Sequence, residues 1–376
     1  MKFSKLKYII LLSIVFCKTA TENKTKETIP VFFQVSEEHQ NYFLDLPKNT
    51  FDEKEMEKLF LDRSEISNEV CEMVYGKKSY DKKKVYSFIR ETSFSKPPFQ
   101  SWGHPLPKLI SGCWNFFRLN DVKPNLDFEL IKKIYPTEKK DCYSVGFLQI
   151  YLMHSILGCN TVTMIDIDWR ILEAHSKLIQ LYQKKKLDIE ENLLAALKTL
   201  KVNWVARFDN KPMEKEIQAN LDTFCYYLHH ELCKTQLLKF QKDFLNLETI
   251  YLQLSSLHDF SYKQKSPNTK IIYLSNAIDD LYTSKDQFKK MIQSIYDNLV
   301  PKQKVIFIHH SAGWSFFGVY EMVKLESAPN LRTVCKDVYK TTPAAGIDSA
   351  VPYITHFERW DGIEKAKVTC ESLLKN

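Results

Sequence analysis

The stretch Asp141-Cys-Tyr-Ser-Val-Gly-Phe-Leu-Gln-Ile-Tyr-Leu-Met-His-Ser-Ile-Leu-Gly-Cys-Asn-Thr-Val-Thr-Met-Ile-Asp-Ile-Asp168 decides how the rest of the chain is read. "CYSV" is short and apolar enough for a strand, "GFLQIYLMHSIL" has the length of a helix, and "TVTMIDI" is a β-branched run that ends on carboxylates. Strand, glycine turn, helix, strand is the opening unit of a parallel α/β sheet. The glycines carry extra weight because the chain has only 9 in 376 residues, against a usual share of about 7%. Gly146 lies at the first turn, and Gly158 lies where a helix C-cap belongs.

Two kinds of chemistry compete for this stretch. Cys142-Tyr-Ser-Val-Gly146 has the serine and second glycine of G-x-S-x-G, the nucleophile elbow of α/β hydrolases. Cys142, however, replaces the first glycine, which is there to avoid a side-chain clash. A triad with Ser144 would draw on a pair such as Asp279 and His309, and the oxyanion-like string "HHSAG" follows the serine instead of preceding it. The other arrangement is a nucleotide-binding turn. It needs an acidic residue about 20 positions past the glycine, at the end of the second strand. Asp166 is there, and Asp168 follows it. As a bland alternative, both carboxylates cap the helix that starts at Trp169.

Beyond this unit, "TIYLQLSSLHDF", "TKIIYLSNA" and "QKVIFIHHSA" read as further buried strands, and "YITHFERW" alternates like an edge strand. "DWRILEAHSKLIQLYQKKK" and "SKDQFKKMIQSIYDNL" read as amphipathic helices, the second with Ser284 as N-cap. These elements predict an α/β fold: an open, mostly parallel twisted sheet over residues 137–376. A helical insertion interrupts it at about 187–247, and a mainly helical N-terminal extension at 28–136 precedes it. In that extension "DFELIKKIY" reads as a short helix. His309 and His310 alternate at a strand end, so one of them faces inward.

As an ordered set these residues resemble the class I S-adenosylmethionine-dependent methyltransferases. The resemblance covers roughly 137–185 and 248–312. It implies S-adenosylmethionine as cofactor: Gly146 passes its methionine part, Asp166 and Asp168 serve the ribose, Asp259 faces the adenine, and Asn276 and Asp279 flank the transfer site. The first turn departs from the family in having one glycine, set among bulky Tyr143, Val145 and Phe147. The insertion at 187–247 lengthens a link that the family keeps short, and offers a partner surface.

The N-terminus adds a second line of inference. "MKFSKLKYIILLSIVFC" joins Lys2, Lys5 and Lys7 to an apolar run too short to span a membrane, as an export signal does. Ile14-Val15-Phe16-Cys17 resembles a bacterial lipobox, with Phe16 larger than the residue usual before the cysteine. The expectation is a 1–17 signal, lipidation at Cys17, a polar tether at 18–27, and attachment to a membrane of the cell envelope. Eight cysteines remain, and an exported chain can oxidise them. Cys225, His229 and Cys233 share a helix face at i, i+4, i+8. Without HExxH or zinc-type spacing, no metal is expected. The net charge of +7 comes from lysine runs among acidic residues. These read as solvated faces, so nucleic acid is not an expected partner.

Together the two lines give an envelope lipoprotein whose methyltransferase-like domain is degenerate or repurposed for binding. The alternatives are a working membrane-associated methyltransferase and a surface adhesin that uses the insertion.

Overall fold

A computed structural model of the chain describes residues 28–36, 121, 123–166, 169–184, 230–259, 266–279, 283–311, 316–325, 328–338, 354–366 and 368–375. Eight strands form one sheet: β1 (Val31–Val35), β2 (Lys140–Val145), β3 (Thr161–Asp166), β4 (Thr249–Leu254), β5 (Thr269–Ser275), β6 (Lys304–His310), β7 (Phe316–Val323) and β8 (Asn330–Val338). Their order is β1-β4-β3-β2-β5-β6-β7-β8. The first six are parallel, and β7 and β8 return antiparallel at one edge. From β2 the chain builds outward through β3 and β4, then crosses back to continue through β5 and β6. The order therefore reverses between β2 and β5, where open α/β sheets place ligands at the strands' carboxyl ends.

Alternation along each strand sorts the side chains into two cores. Cys142, Val162, Met164, Leu252, Ile271, Tyr273, Ile306 and Ile308 face the larger one. Over it lie α1 (Pro124–Ile134), α2 (Gln149–Leu157), α3 (Trp169–Gln183) and α4 (His230–Asp243), with the short α6 (Cys370–Lys375) near β8. Tyr143, Ile165, Ile272, Leu274, Val305 and Phe307 face the other core, against α5 (Lys285–Asp297). A strand covered on both sides has no polar face to show, and all seven residues of β5 are buried.

The α/β class, the parallel sheet and the strands at "TVTMIDI" and "VIFIHH" stand as expected. Gly158 adopts φ 66° as the C-cap of α2. Ser284 caps α5 in a reciprocal capping box with Gln287.

Other expectations change. "YITHFERW" is not an edge strand: Thr355–Trp360 forms turns, with Thr355, His356 and Phe357 buried. Thr355 Oγ1 accepts from the Glu358 N–H, and the Glu358 carboxylate accepts from the Thr355 N–H. That reciprocal pair favours a helical turn over an extended ladder. The edges are instead β1 and β8. The described part of the expected helical extension consists of β1, which joins the main sheet beside β4, and α1. Residues 1–27 with Cys17, residues 185–229 of the insertion, and Asp168 lie outside the described residues. The insertion's last helix is present as α4.

Every cysteine among the described residues is disulfide-bonded. Cys142 pairs with Cys159, and Cys335 with Cys370. Cys233 is bonded as well, so it is not a free thiolate for a metal. Among the described residues no group of three or more His, Cys, Asp or Glu is placed to hold a metal ion. No helix among them is long and apolar enough to cross a membrane.

Candidate functional site

The turn after β2 is built around Gly146, whose φ of 77° lies in the left-handed region. Its N–H donates to Asp166 Oδ2 at 3.2 Å, so the sequence pair 20 positions apart meets across β2 and β3. Its carbonyl accepts from His175 Nε2 at 3.2 Å. Because a carbonyl only accepts, Nε2 carries the proton, and Nδ1 takes the hydrogen bond of the Tyr151 hydroxyl at 2.6 Å. Burial pushes the His175 pKa down to about 3, which keeps this neutral tautomer.

The bulky residues around the turn do not crowd it. Tyr143 points into the α5 core, where its hydroxyl accepts from Lys270 at 3.1 Å. Phe147 packs between the rings of Tyr151 and His175. Gln149 is the side chain that lies against the turn. A Cβ on Gly146 would sit 2.9 Å from its Oε1.

Gln149 also leads into the crevice between β2 and β5. Its Nε2 donates to Asp121 Oδ2 at 3.3 Å, and Ser275 Oγ donates to Asp121 Oδ1 at 3.0 Å. Asp121 is 0% exposed, Gln149 3% and Ser275 6%. Ser275 ends β5 with φ 48°, a rare conformation for a residue with a side chain. The switch point is thus bridged from α2 to β5 by a carboxylate that arrives from the segment preceding α1.

Two histidine–carboxylate pairs lie next to it. His309 Nε2 is 3.0 Å from Asp279 Oδ1 on the α5 side of the sheet. His310 Nε2 is 2.7 Å from Asp127 Oδ2 on the other side, which ties α1 to the end of β6. Burial lowers the His309 pKa, with Asp279 opposing. Burial also acts on His310, but the carboxylates of Asp127 and then Asp121 lift it above its ordinary value of 6.5.

Of the residues expected to form a site, Gly146 and Asp166 are in contact. Asn276 and Asp279 share the turn after β5, where the Asp279 N–H donates to the Asn276 carbonyl. Asp259 pairs with Lys290 of α5 at 3.7 Å. Ser144 belongs to β2, paired with Met164 and Tyr273, and its hydroxyl donates to the Val145 carbonyl. The left-handed turn falls two residues later, so the elbow geometry is not present at Ser144.

No family model and no curated protein matches this sequence. Among solved structures, the chain is similar to the glycopeptide N-methyltransferase MtfA in complex with sinefungin, with a TM-score of 0.26 and 10% identity. The match covers 56% of this chain and 62% of that one, less than two thirds of its length.

Sequence reasoning did not find Asp121, Asp127, Gln149 or His175. Pro124 at the first position of α1 was a usable mark of a helix start just after Asp121. Nothing local marks which strand ends that helix would reach.

Proposed function

We propose that the protein is an envelope lipoprotein whose methyltransferase-like Rossmann domain serves as a binding scaffold and not as a methyltransferase. The observation that carries this reading is the buried bridge Ser275–Asp121–Gln149 across the switch point. S-adenosylmethionine fits this arrangement poorly. The Gln149 amide lies against the glycine turn that its methionine part would pass. Asp166, the ribose ligand that the resemblance implies, gives one of its two oxygens to the Gly146 N–H. The disulfides support the exported half of the proposal, since such bonds persist in oxidising compartments. Export also separates the chain from S-adenosylmethionine, a cytoplasmic metabolite.

Calorimetric titration of the full-length protein in detergent with S-adenosylmethionine tests the scaffold reading. The wild type should give no binding heat. Asp121→Ala and Gln149→Ala should give none either. Micromolar binding by the wild type would instead show an intact cofactor site and overturn the proposal.

The anchor is tested separately. Labelled palmitate should enter the wild type and not Cys17→Ala. Equal labelling of both would remove the lipobox reading and leave the scaffold reading untouched.

A further inference from the structure

The amino end of the sheet, opposite the switch point, carries a second concavity. Helix α2 stops at Gly158, and α4, the last helix of the insertion, packs beside it. Between them is an open pocket of about 410 Å³, within the range of roughly 300–1,000 Å³ usual for small-molecule sites. Ser155, Cys159 and Asn160 line it from the core, and Lys239, Asp243 and Asn246 line it from the insertion side. Its walls are braced. Cys159 is bonded to Cys142 of β2. His154, buried and thereby held below its ordinary pKa, donates from Nε2 to the main-chain carbonyl of Asp243 at 3.0 Å. The rings of His154 and Phe240 meet edge to face.

The chemistry of the pocket is rich in acceptors. A helix C-terminus presents carbonyls and the negative end of the helix dipole, both of which attract cations. Asp243 adds a carboxylate, and Asn160 is held at the rim by donating to Glu248, outside the lining, at 3.1 Å. The buried hydroxyl of Ser155 has no hydrogen-bond partner. One cation answers these groups. The ammonium of Lys239 lies 3.0 Å from the Ser155 carbonyl and 3.1 Å from Asp243 Oδ2. The chain's own ammonium thus displays the chemistry that the pocket holds. It is lightly held: the Lys239 side chain is 55% exposed, and an exposed i,i+4 pair contributes little.

We propose that this pocket binds the primary ammonium group of a small polar ligand such as an amino sugar, with Lys239 as the internal cation that the ligand displaces. The ligand's ammonium would take the Ser155 carbonyl and Asp243, and Asn160 and Asn246 would meet its hydroxyls. The inference does not depend on the state of the crevice at the other end of the sheet.

Three hexoses of one frame, titrated calorimetrically into the full-length protein, test it. Glucosamine carries an ammonium, glucose is neutral, and glucose 6-phosphate is anionic. Glucosamine should bind at least about tenfold more tightly than glucose, because its bonds are charge-assisted, and glucose 6-phosphate should bind weakest. Asp243→Asn should lose at least about tenfold in glucosamine affinity. Lys239→Ala should gain affinity, because the competing cation is gone, and Lys239→Gln should do the same with more of the stem kept. The sign of the lysine effect is decisive. If both lysine variants bind glucosamine more weakly, or if glucose 6-phosphate is the preferred hexose, Lys239 is itself the recognition group and the assignment is overturned. Absence of measurable binding by all three hexoses overturns it too. Unfolding midpoints equal to wild type, by circular dichroism, confirm that the variants compared are folded.

Discussion

Replacing His310 by leucine should destabilise the domain by about 3–5 kcal/mol, the usual result of removing one partner from a buried ion pair. The imidazole closes a contact between α1 and the end of β6, and Asp127 is 6% exposed on the helix side. Without His310, the Asp127 carboxylate loses its partner and regains no water. The groups facing His310 are Asp127 and Lys123 from α1 and its approach, Asp121 from the same segment and Tyr273 of β5, and His309 acts on it only from the opposite face of the sheet. The sign of the pH dependence follows from its raised pKa. A histidine bound more tightly to its proton in the folded state contributes stability that is complete below the unfolded value of 6.5. That contribution disappears as pH rises through the folded value. The wild-type advantage over His310→Leu should therefore be larger near pH 6 than near pH 9 in denaturant titrations. An advantage that grows toward pH 9 would show that the neutral histidine is the stabilising form. His310→Gln keeps a hydrogen-bond donor without the charge and should fall between the two.

Removing the Cys142–Cys159 disulfide should cost about 3 kcal/mol, from the chain entropy returned to the unfolded state by opening a loop of this size. The two cysteines are 17 positions apart, and the loop they close holds the glycine turn, all of α2 and its cap. The double variant Cys142→Ala/Cys159→Ala, unfolded in denaturant without reductant, gives the comparison. A loss below about 1 kcal/mol would mean that the sheet register alone holds β2 to β3 and that the bond adds no constraint.

Much of the sheet was legible in the sequence because its central strands are covered on both faces. "TVTMID", "TKIIYLS" and "KVIFIHH" are mostly β-branched or apolar and are buried almost throughout, as a parallel strand covered on both faces requires. The spacing of Gly146 and Asp166 was legible for the same reason: both lie within one strand–helix–strand unit, so twenty positions of sequence fix their separation in space. What lay outside local units was hidden. Phe316–Val323 and Asn330–Val338 were hidden for another reason: they pair with their sequence neighbours, but the edge strand Asn330–Val338 is half exposed and too polar to read as a buried run. Thr-His-Phe-Glu at 355–358 combines the alternation of a strand with the spacing of a capping box, and the local hydrogen bonds prevailed. Asp121 reaches Ser275 over a separation of 154 positions, a contact set by how α1 lands on the sheet and not by any pattern near Asp121.

The position of β1 has a consequence for the order of events at birth. Gln34 meets Gln253 across 219 positions, in a parallel pairing that no hairpin can template. β1 must therefore wait for a strand near residue 250 before it has a place to dock. Long-range parallel pairing of this kind is slow to form. A chain built in this order completes its sheet only after most of its length has been made, so its oldest described strand is one of the last to gain its partner.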